Sequence, residues 1–473
     1  MPTSQNFIPL TPRNVARSGL CIGCGSCAAQ AEPQDRAKMA LDAFGQFKPT
    51  GSGTWLNRAS DTFAQTCPFS PLAPNEDDLA QQLFLAPAQQ DAYSGHFQAA
   101  YVGYVAEEGF RVRGSSGGMV SWVLAELLRA GLVDGVAHVI AVDDPQKDGR
   151  FFRYRIARTQ EEINQGAKSR YYPVEMSEII RTIRATPGRY AVVGIPCFIK
   201  AVQLLRREDP ILRERIAYTL GLFCGHMKSA RFIESFAWQM EVPMREVQRV
   251  EFRLKDPIRA ASTYTAQLTL RDGTIVQRDW WNLCDGDWGA GFFQNSACNF
   301  CDDVVAETAD ISFGDAWVEP YSSDGRGTNV IVVRSPVVSG LVSTAIEEGR
   351  LKLDPVDGEF VRQTQAAGFR QRREGLAYRL YQRRTGLKKW KIEPRKRVAP
   401  RSRTITTRRK FIYLSRAFIS TWSERTFWLA RLTRRPQLYI RWAGAALALY
   451  HGLAYSRGKV GEFAARLGLR PDA

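Results

Sequence analysis

Three cysteines at two-residue spacing, Cys21-Ile22-Gly23-Cys24-Gly25-Ser26-Cys27, constrain this chain more than any other stretch. A loop with that spacing wraps one corner of an iron–sulfur cube and gives one thiolate to each of three irons. Gly23 and Gly25 suit such a loop, because glycine takes positive φ and lets backbone N–H groups turn toward sulfur. The fourth ligand of such sites is typically a remote cysteine followed by proline, and Cys67-Pro68 is the sole Cys-Pro pair in the sequence. Cys21, Cys24, Cys27 and Cys67 are therefore the expected ligands of a first [4Fe–4S] cluster. A structural zinc site is the rival, but zinc usually takes two CxxC pairs or Cys with His, and no His lies near.

A second set comprises Cys197, Cys224 and the pair Cys298-Asn299-Phe300-Cys301. Cys197 and Cys224 each follow a short apolar run that reads as a buried strand, where a loop can face a site beyond a sheet. Four thiolates from three distant segments imply a second [4Fe–4S] cluster. The competing reading is cysteine as a small buried hydrophobe, which is also the reading for the leftover Cys284. Nine cysteines clustered in this way, with no secretory signal at Met1-Pro2-Thr3-Ser4, argue for a reducing, cytoplasmic setting in which thiolates bind metal.

The 473 residues allow two or three domains. From Ala99 the pattern alternates strand and helix: Ala100–Val105, a helix from Met119 to Ala130 closed by Gly131, a strand from Gly135 to Val142, and so on through Arg189–Val193, Phe198–Arg207 and Ile216–Phe223. The first three form a βαβ-like unit. Antiparallel strands are expected between Val250 and Trp280, with Arg271-Asp272-Gly273-Thr274 as a hairpin turn. The fold class is thus α/β: a mixed-sheet core, an N-terminal ferredoxin-like iron–sulfur segment and a basic, mainly helical C-terminal tail. The corresponding boundaries are 1–95, 96–369 and 370–473.

Two stretches suit anion binding. Arg113-Gly114-Ser115-Ser116-Gly117-Gly118 follows a strand and opens a helix, where N–H groups can hold a pyrophosphate, though it is not GxGxxG and an ordinary serine cap with packed glycines explains it equally. Lys168-Ser169-Arg170-Tyr171-Tyr172 sets two cations beside two aromatics, able to pair with phosphate and stack on a ring. Asp315 and Trp317 end a predicted strand just after the CxxC pair, and His226 and His138 are candidate proton donors or structural histidines.

Taken in order, Cys21 to Cys27, Thr66-Cys67-Pro68, Ser115 to Gly118, Lys168 to Tyr171, Gly194-Ile195-Pro196-Cys197 and Cys298 to Asp315 resemble the coenzyme F420 hydrogenase/dehydrogenase beta-subunit family, over roughly Gly19 to Val333. The resemblance implies FAD on an α/β core beside iron–sulfur clusters, and its two-cluster members include ferredoxin-dependent chlorophyll reductases. It does not imply the deazaflavin, and some bacterial members are tied to surface-polysaccharide synthesis. The expected function is an oxidoreductase passing electrons through two clusters to FAD, fed by a ferredoxin-like donor or a partner redox subunit. Rivals are an electron-transfer subunit without its own substrate, and a regulatory or structural iron–sulfur protein.

The net charge of +17 resides in the tail: residues 370–473 hold 27 Lys/Arg against 5 Asp/Glu, which leaves the remainder mildly acidic. Aromatics from Trp390 to Trp442 interleave with those cations, and Phe411, Leu414, Phe418 and Trp422 recur at helical spacing. Such helices can lie on an anionic membrane or pack back onto the acidic remainder. Nucleic acid is disfavoured, since a redox core gives it no role. No apolar run is long enough for a transmembrane helix.

Overall fold

The structure, a computed structural model, describes residues 9–84, 89–385, 392–393 and 397–469; Met1 to Ser4 and Trp390 lie outside them. The expected alternation becomes an eight-stranded mixed sheet. Its strands are β1 (Ala99–Val105), β2 (Gly135–Ala141), β3 (Phe152–Ala157), β4 (Tyr190–Gly194), β5 (Ile216–Leu222), β6 (Ile311–Asp315), β7 (Asn329–Val333) and β8 (Leu351–Val356). They lie side by side in the order β8-β1-β7-β6-β5-β4-β2-β3. The middle strands β6, β5, β4 and β2 run parallel, and antiparallel pairs flank them on both sides. β4 and β7 are buried along their whole lengths, as their unbroken apolar runs require of strands covered on both faces.

Helix α1 (Met119–Arg129) ends where the sequence indicates, with Gly131 left-handed at φ +62°. It links β1 to β2, but four strands separate them, so the βαβ-like unit is not a local one. Both edges of β1 are taken by β7 and β8, which forces the chain to cross the sheet before β2 can pair. Helix α2 (Pro196–Glu208) starts directly after β4, with proline in its first turn where the missing N–H costs nothing. The antiparallel expectation holds as a separate sheet of Val247–Leu254, Thr265–Leu270 and Ile275–Asp279, turned at Gly273 with φ +88°.

The N-terminal segment is short helices and a two-stranded hairpin, Lys38–Leu41 with Phe47–Thr50. It shares a core with the main sheet, since Ile22, Phe63 and Phe69 pack in one cluster with Ile180, Phe198 and Leu376. The tail also packs inward. Helices α3 (Ala366–Arg372), α4 (Glu374–Thr385), α5 (Thr407–Leu432) and α6 (Pro436–Tyr455) follow the sheet. Ile419 and Phe427 of α5, with Tyr439 of α6, are buried among Phe232, Phe293 and Trp280. Trp238 stacks on Phe427 at 4.2 Å, and the Tyr439 hydroxyl donates to Asp285 at 2.8 Å.

Candidate functional site

The first four predicted ligands meet. Cys21, Cys24, Cys27 and Cys67 line a cavity of about 30 Å³, walled by Phe63 and Phe69. Gly23 and Gly25 take φ of +84° and +86°, as the loop requires. A Cβ on Gly25 would lie 2.7 Å from Glu175 Oε2 and 2.9 Å from the Ser177 nitrogen, so glycine is also needed for space. Cys67 caps the helix Asp61–Thr66, which aims it at the loop. Burial pushes the Cys24 thiol up to about 11 and the Cys67 thiol up to about 12. Without a metal these groups are neutral thiols; iron would have to displace their protons.

The second four meet as well. Cys197 lies in the first turn of α2, Cys224 follows β5, Cys298 sits inside the short helical turn Ser296–Phe300, and Cys301 caps that turn's end. Cys197 lies within electrostatic reach of Cys301, Cys224 and Cys298, and also of Cys24 from the first set. The two quartets are therefore neighbours, with Tyr154 in reach of both Cys197 and Cys24. The Met227 N–H donates to Cys298 Sγ at 3.3 Å. None of these cysteines forms a disulfide. Among the described residues no three His, Cys, Asp or Glu side chains converge tightly enough for a single metal ion. A cubane instead takes each thiolate at a separate iron corner. Cys284 belongs to neither quartet and packs beside the aromatic core.

Arg372 of α3 was not foreseen. Its Nη2 donates to the carbonyls of Cys224 and Gly225 at 3.2 and 2.6 Å, while Nη1 is buried with no hydrogen-bond partner among the described residues. Burial opposes the guanidinium charge, but Cys301, Cys224, Cys298 and Cys197 more than offset it and hold Arg372 above its ordinary pKa. A buried cation with an orphaned donor amid four thiols fits a site built for an anionic group. The donor set thus suits a cluster here.

Beside this quartet, at the carboxyl ends of β4, β5 and β6, opens a cavity of about 940 Å³. Such a crevice is where open α/β sheets hold ligands. Ser115, Ser116 and Gly118 line it, together with Lys168, Ser169, Arg170 and Tyr171, and so does Cys224. Gly117 does not line it; a Cβ there would lie 2.8 Å from the Gly103 carbonyl and the Asn329 side chain. Lys168 is paired with Glu251 at 2.8 Å, and Arg170 sits over the Phe152 ring at 5.1 Å. Both motifs are thus held by the fold, and a cavity of this size with serines, cations and aromatic rings in its wall could hold a phosphate-bearing cofactor such as FAD.

Asp315 and Trp317 also face the cavity. Asp315 takes two bonds from Arg253 at 3.0 and 2.9 Å, and Arg253 lies over Tyr264 and Trp317. His226 stacks on Trp288 at 4.2 Å. Arg416 Nη2 lies 3.4 Å from His226 Nδ1, and a guanidinium only donates, so Nδ1 accepts and Nε2 carries the proton. Burial, followed by Lys228, Arg416 and Arg372, keeps His226 well below its usual pKa. Lys228, buried and bonded to the Phe292 carbonyl at 2.7 Å, is pushed down to about 7 by desolvation, against the pull of Asp285. His138 lines the cavity too, with Nε2 buried and without a partner among the described residues. The sequence signals for Lys228 and Arg416 were slight: one lysine four residues after Cys224, and one arginine among many in the tail.

Fold and site define a cysteine-rich α/β protein with a ligand-sized cavity set against a thiol quartet. The chain belongs to the coenzyme F420 hydrogenase/dehydrogenase beta-subunit family, whose N-terminal part matches residues 100–181 and whose C-terminal part matches residues 188–359. The cavity motifs and the second quartet fall inside the matched residues; the first quartet precedes them. Over 234 residues the chain is 22% identical to a coenzyme F420-dependent sulfite reductase of Methanocaldococcus jannaschii, covering 46% of this chain and 33% of the relative. The chain thus spans about a third of that relative's length. Among solved structures, a chain of the F420-reducing [NiFe] hydrogenase complex from Methanosarcina barkeri matches 65% of this chain and 99% of its own length, at 18% identity and a TM-score of 0.49.

Proposed function

We propose that the chain is an iron–sulfur flavoprotein oxidoreductase with two [4Fe–4S] clusters, held by Cys21/Cys24/Cys27/Cys67 and Cys197/Cys224/Cys298/Cys301, and one FAD. The observation that carries this reading is the shared wall: one cavity is lined by Cys224 of the second quartet and by the Ser115–Gly118 and Lys168–Tyr171 stretches. Bound there, FAD would convert single electrons into two-electron hydride transfer. The chain's own part is to orient and seal. Ser115 and Ser169 shape the rim, Tyr171 and Trp288 wall the ring side, and the aromatic core behind them excludes water.

Family membership supports an oxidoreductase or electron-transfer role. The cavity is the volume FAD itself would fill, so the two roles part on what lies over the bound flavin: a substrate-sized pocket there would favour a reductase, and a flat exposed face a subunit that relays electrons. The electron source in this reading is a ferredoxin-like donor or a partner redox subunit, and the basic tail gives peripheral contact with a membrane. A substrate from surface-polysaccharide metabolism rests on the family resemblance alone. Anaerobic purification with iron, sulfide and flavin assays tests the reading. About eight iron and one flavin per chain are expected. A colourless, flavin-free protein would leave only the structural or regulatory rival.

A further inference from the structure

Helix α5 has two apolar faces, and the core uses only one. Ile412, Ile419, Phe427 and Ala430 are buried against the aromatic core. Phe411, Leu414, Phe418, Trp422, Leu429 and Leu432 all remain exposed, from 38% at Leu414 to 66% at Leu432. At 100° per residue those six fall within an arc of about 80°. Helix α6 extends the patch: Phe418 meets the Trp442 ring at 6.2 Å, and Leu438 and Leu449 are exposed beyond it. Monomer surfaces seldom leave so many large apolar side chains contiguous.

The charge around the patch selects what covers it. Arg425 lies within the arc and over the Trp422 ring at 5.3 Å. Arg434 and Arg435, at the turn between α5 and α6, and Arg441 beyond it are exposed, with no carboxylate in ion-pair range among the described residues. A second copy of the chain would bring the same cations face to face. An anionic lipid surface instead takes the apolar side chains below its headgroups and pairs the arginines with phosphate. Tryptophans at the patch edge suit that boundary. No described helix is long and apolar enough to cross a membrane, so the geometry is that of a hairpin lying in the interface.

We infer that the outer face of the α5–α6 hairpin docks the protein onto an anionic membrane surface through Phe411, Phe418, Trp422 and Leu429, with Arg434, Arg435 and Arg441 on lipid phosphates. This deepens the membrane contact in the proposed function by naming the surface that makes it. Because α5 and α6 carry part of the core, removing the tail would unfold more than the patch, so the test uses the full holo-protein. Vesicles of phosphatidylcholine, with and without phosphatidylglycerol, are floated with the wild type, Phe418→Ser/Trp422→Ser, and Arg434→Gln/Arg435→Gln/Arg441→Gln.

The expected result is retention on the anionic vesicles that falls as salt rises, with melting temperature, iron and flavin unchanged in both variants. The triple arginine variant should lose about 100-fold in partitioning, and the aromatic variant should lose retention even at low salt. Wild type that ignores anionic vesicles, or variants that bind them as wild type does, would overturn the inference. So would a concentration-dependent dimer that the aromatic variant abolishes without any vesicle binding, which would assign the patch to a second copy. Iron and flavin assays on the same samples report on the redox reading separately. Full cofactor content without vesicle binding would remove the docking surface alone.

Discussion

The backbone N–H of Ser169 donates to the Ser115 hydroxyl at 2.8 Å, joining two stretches 54 residues apart into one rim of the large cavity. Neither stretch is specific by sequence, but the fold brings both to one cavity, and under the proposed function they hold the flavin's phosphates. Ser115→Ala should therefore loosen the rim by about 1 kcal/mol and raise the fraction of flavin lost on dilution. Lys168→Ala with Arg170→Ala should do more, since charge-assisted bonds contribute about 1.5–3 kcal/mol each. Flavin-to-protein absorbance ratios, with iron unchanged, provide the check. Full flavin in the double variant would make these residues structural only.

The two quartets should separate by mutation. Cys298→Ser is expected to take iron from about eight to about four per chain while the paramagnetic signal of the first quartet persists. Iron content and electron paramagnetic spectra measure both. An unaltered spectrum and iron count would show that Cys298 is not a ligand.

Arg372 should set the second centre's potential. A buried cation beside the four cysteines favours the more negative, reduced state, so Arg372→Gln should lower the midpoint by about 60 mV or more, the equivalent of one tenfold step for one electron. Arg372→Lys keeps the charge and should recover part of the shift. Paramagnetically monitored redox titration reads both centres at once, and the first should not move. Equal shifts in both centres would mean a general disturbance of the fold.

Glu424 of α5 accepts from Gln46 Nε2 at 2.5 Å, tying the tail to the N-terminal hairpin region. Burial raises its pKa from 4.5 to about 8, partly opposed by the Gln46 hydrogen bond. The folded state keeps a proton that the unfolded state releases, so this group's contribution is complete below about pH 4.5 and is lost as pH rises to about 8. Glu424→Gln removes the titration. Across that window wild type should lose stability relative to the variant by at most about 1.4 kcal/mol per pH unit, as read from paired melting curves. Parallel curves for the two proteins would refute the shift.

Local chemistry was legible because it is written in local spacing. The stretch Cys21 to Cys27 reads as a tight loop that turns three thiols to one side, and Gly23 and Gly25 take the left-handed backbone such a loop needs. The strand Tyr190–Gly194 was readable because a continuous apolar run suits burial on both faces. The order of strands was not. That β1 and β2 stand four strands apart depends on which edges pair, and the strand pattern alone carries no record of that.

The sequence by itself therefore determined the grouping of eight cysteines into two quartets, the α/β class and the amphipathic spacing of Phe411, Leu414, Phe418 and Trp422. Only the tertiary structure decided that Arg372 stands among four thiols, that Arg416 reaches His226 across 190 residues, and that this apolar stripe of α5 faces outward while its neighbour is buried. The physical reason is the range of the forces. Turn geometry and helical periodicity act over a few residues, whereas burial and charge pairing are settled between segments that meet only when the whole chain has packed.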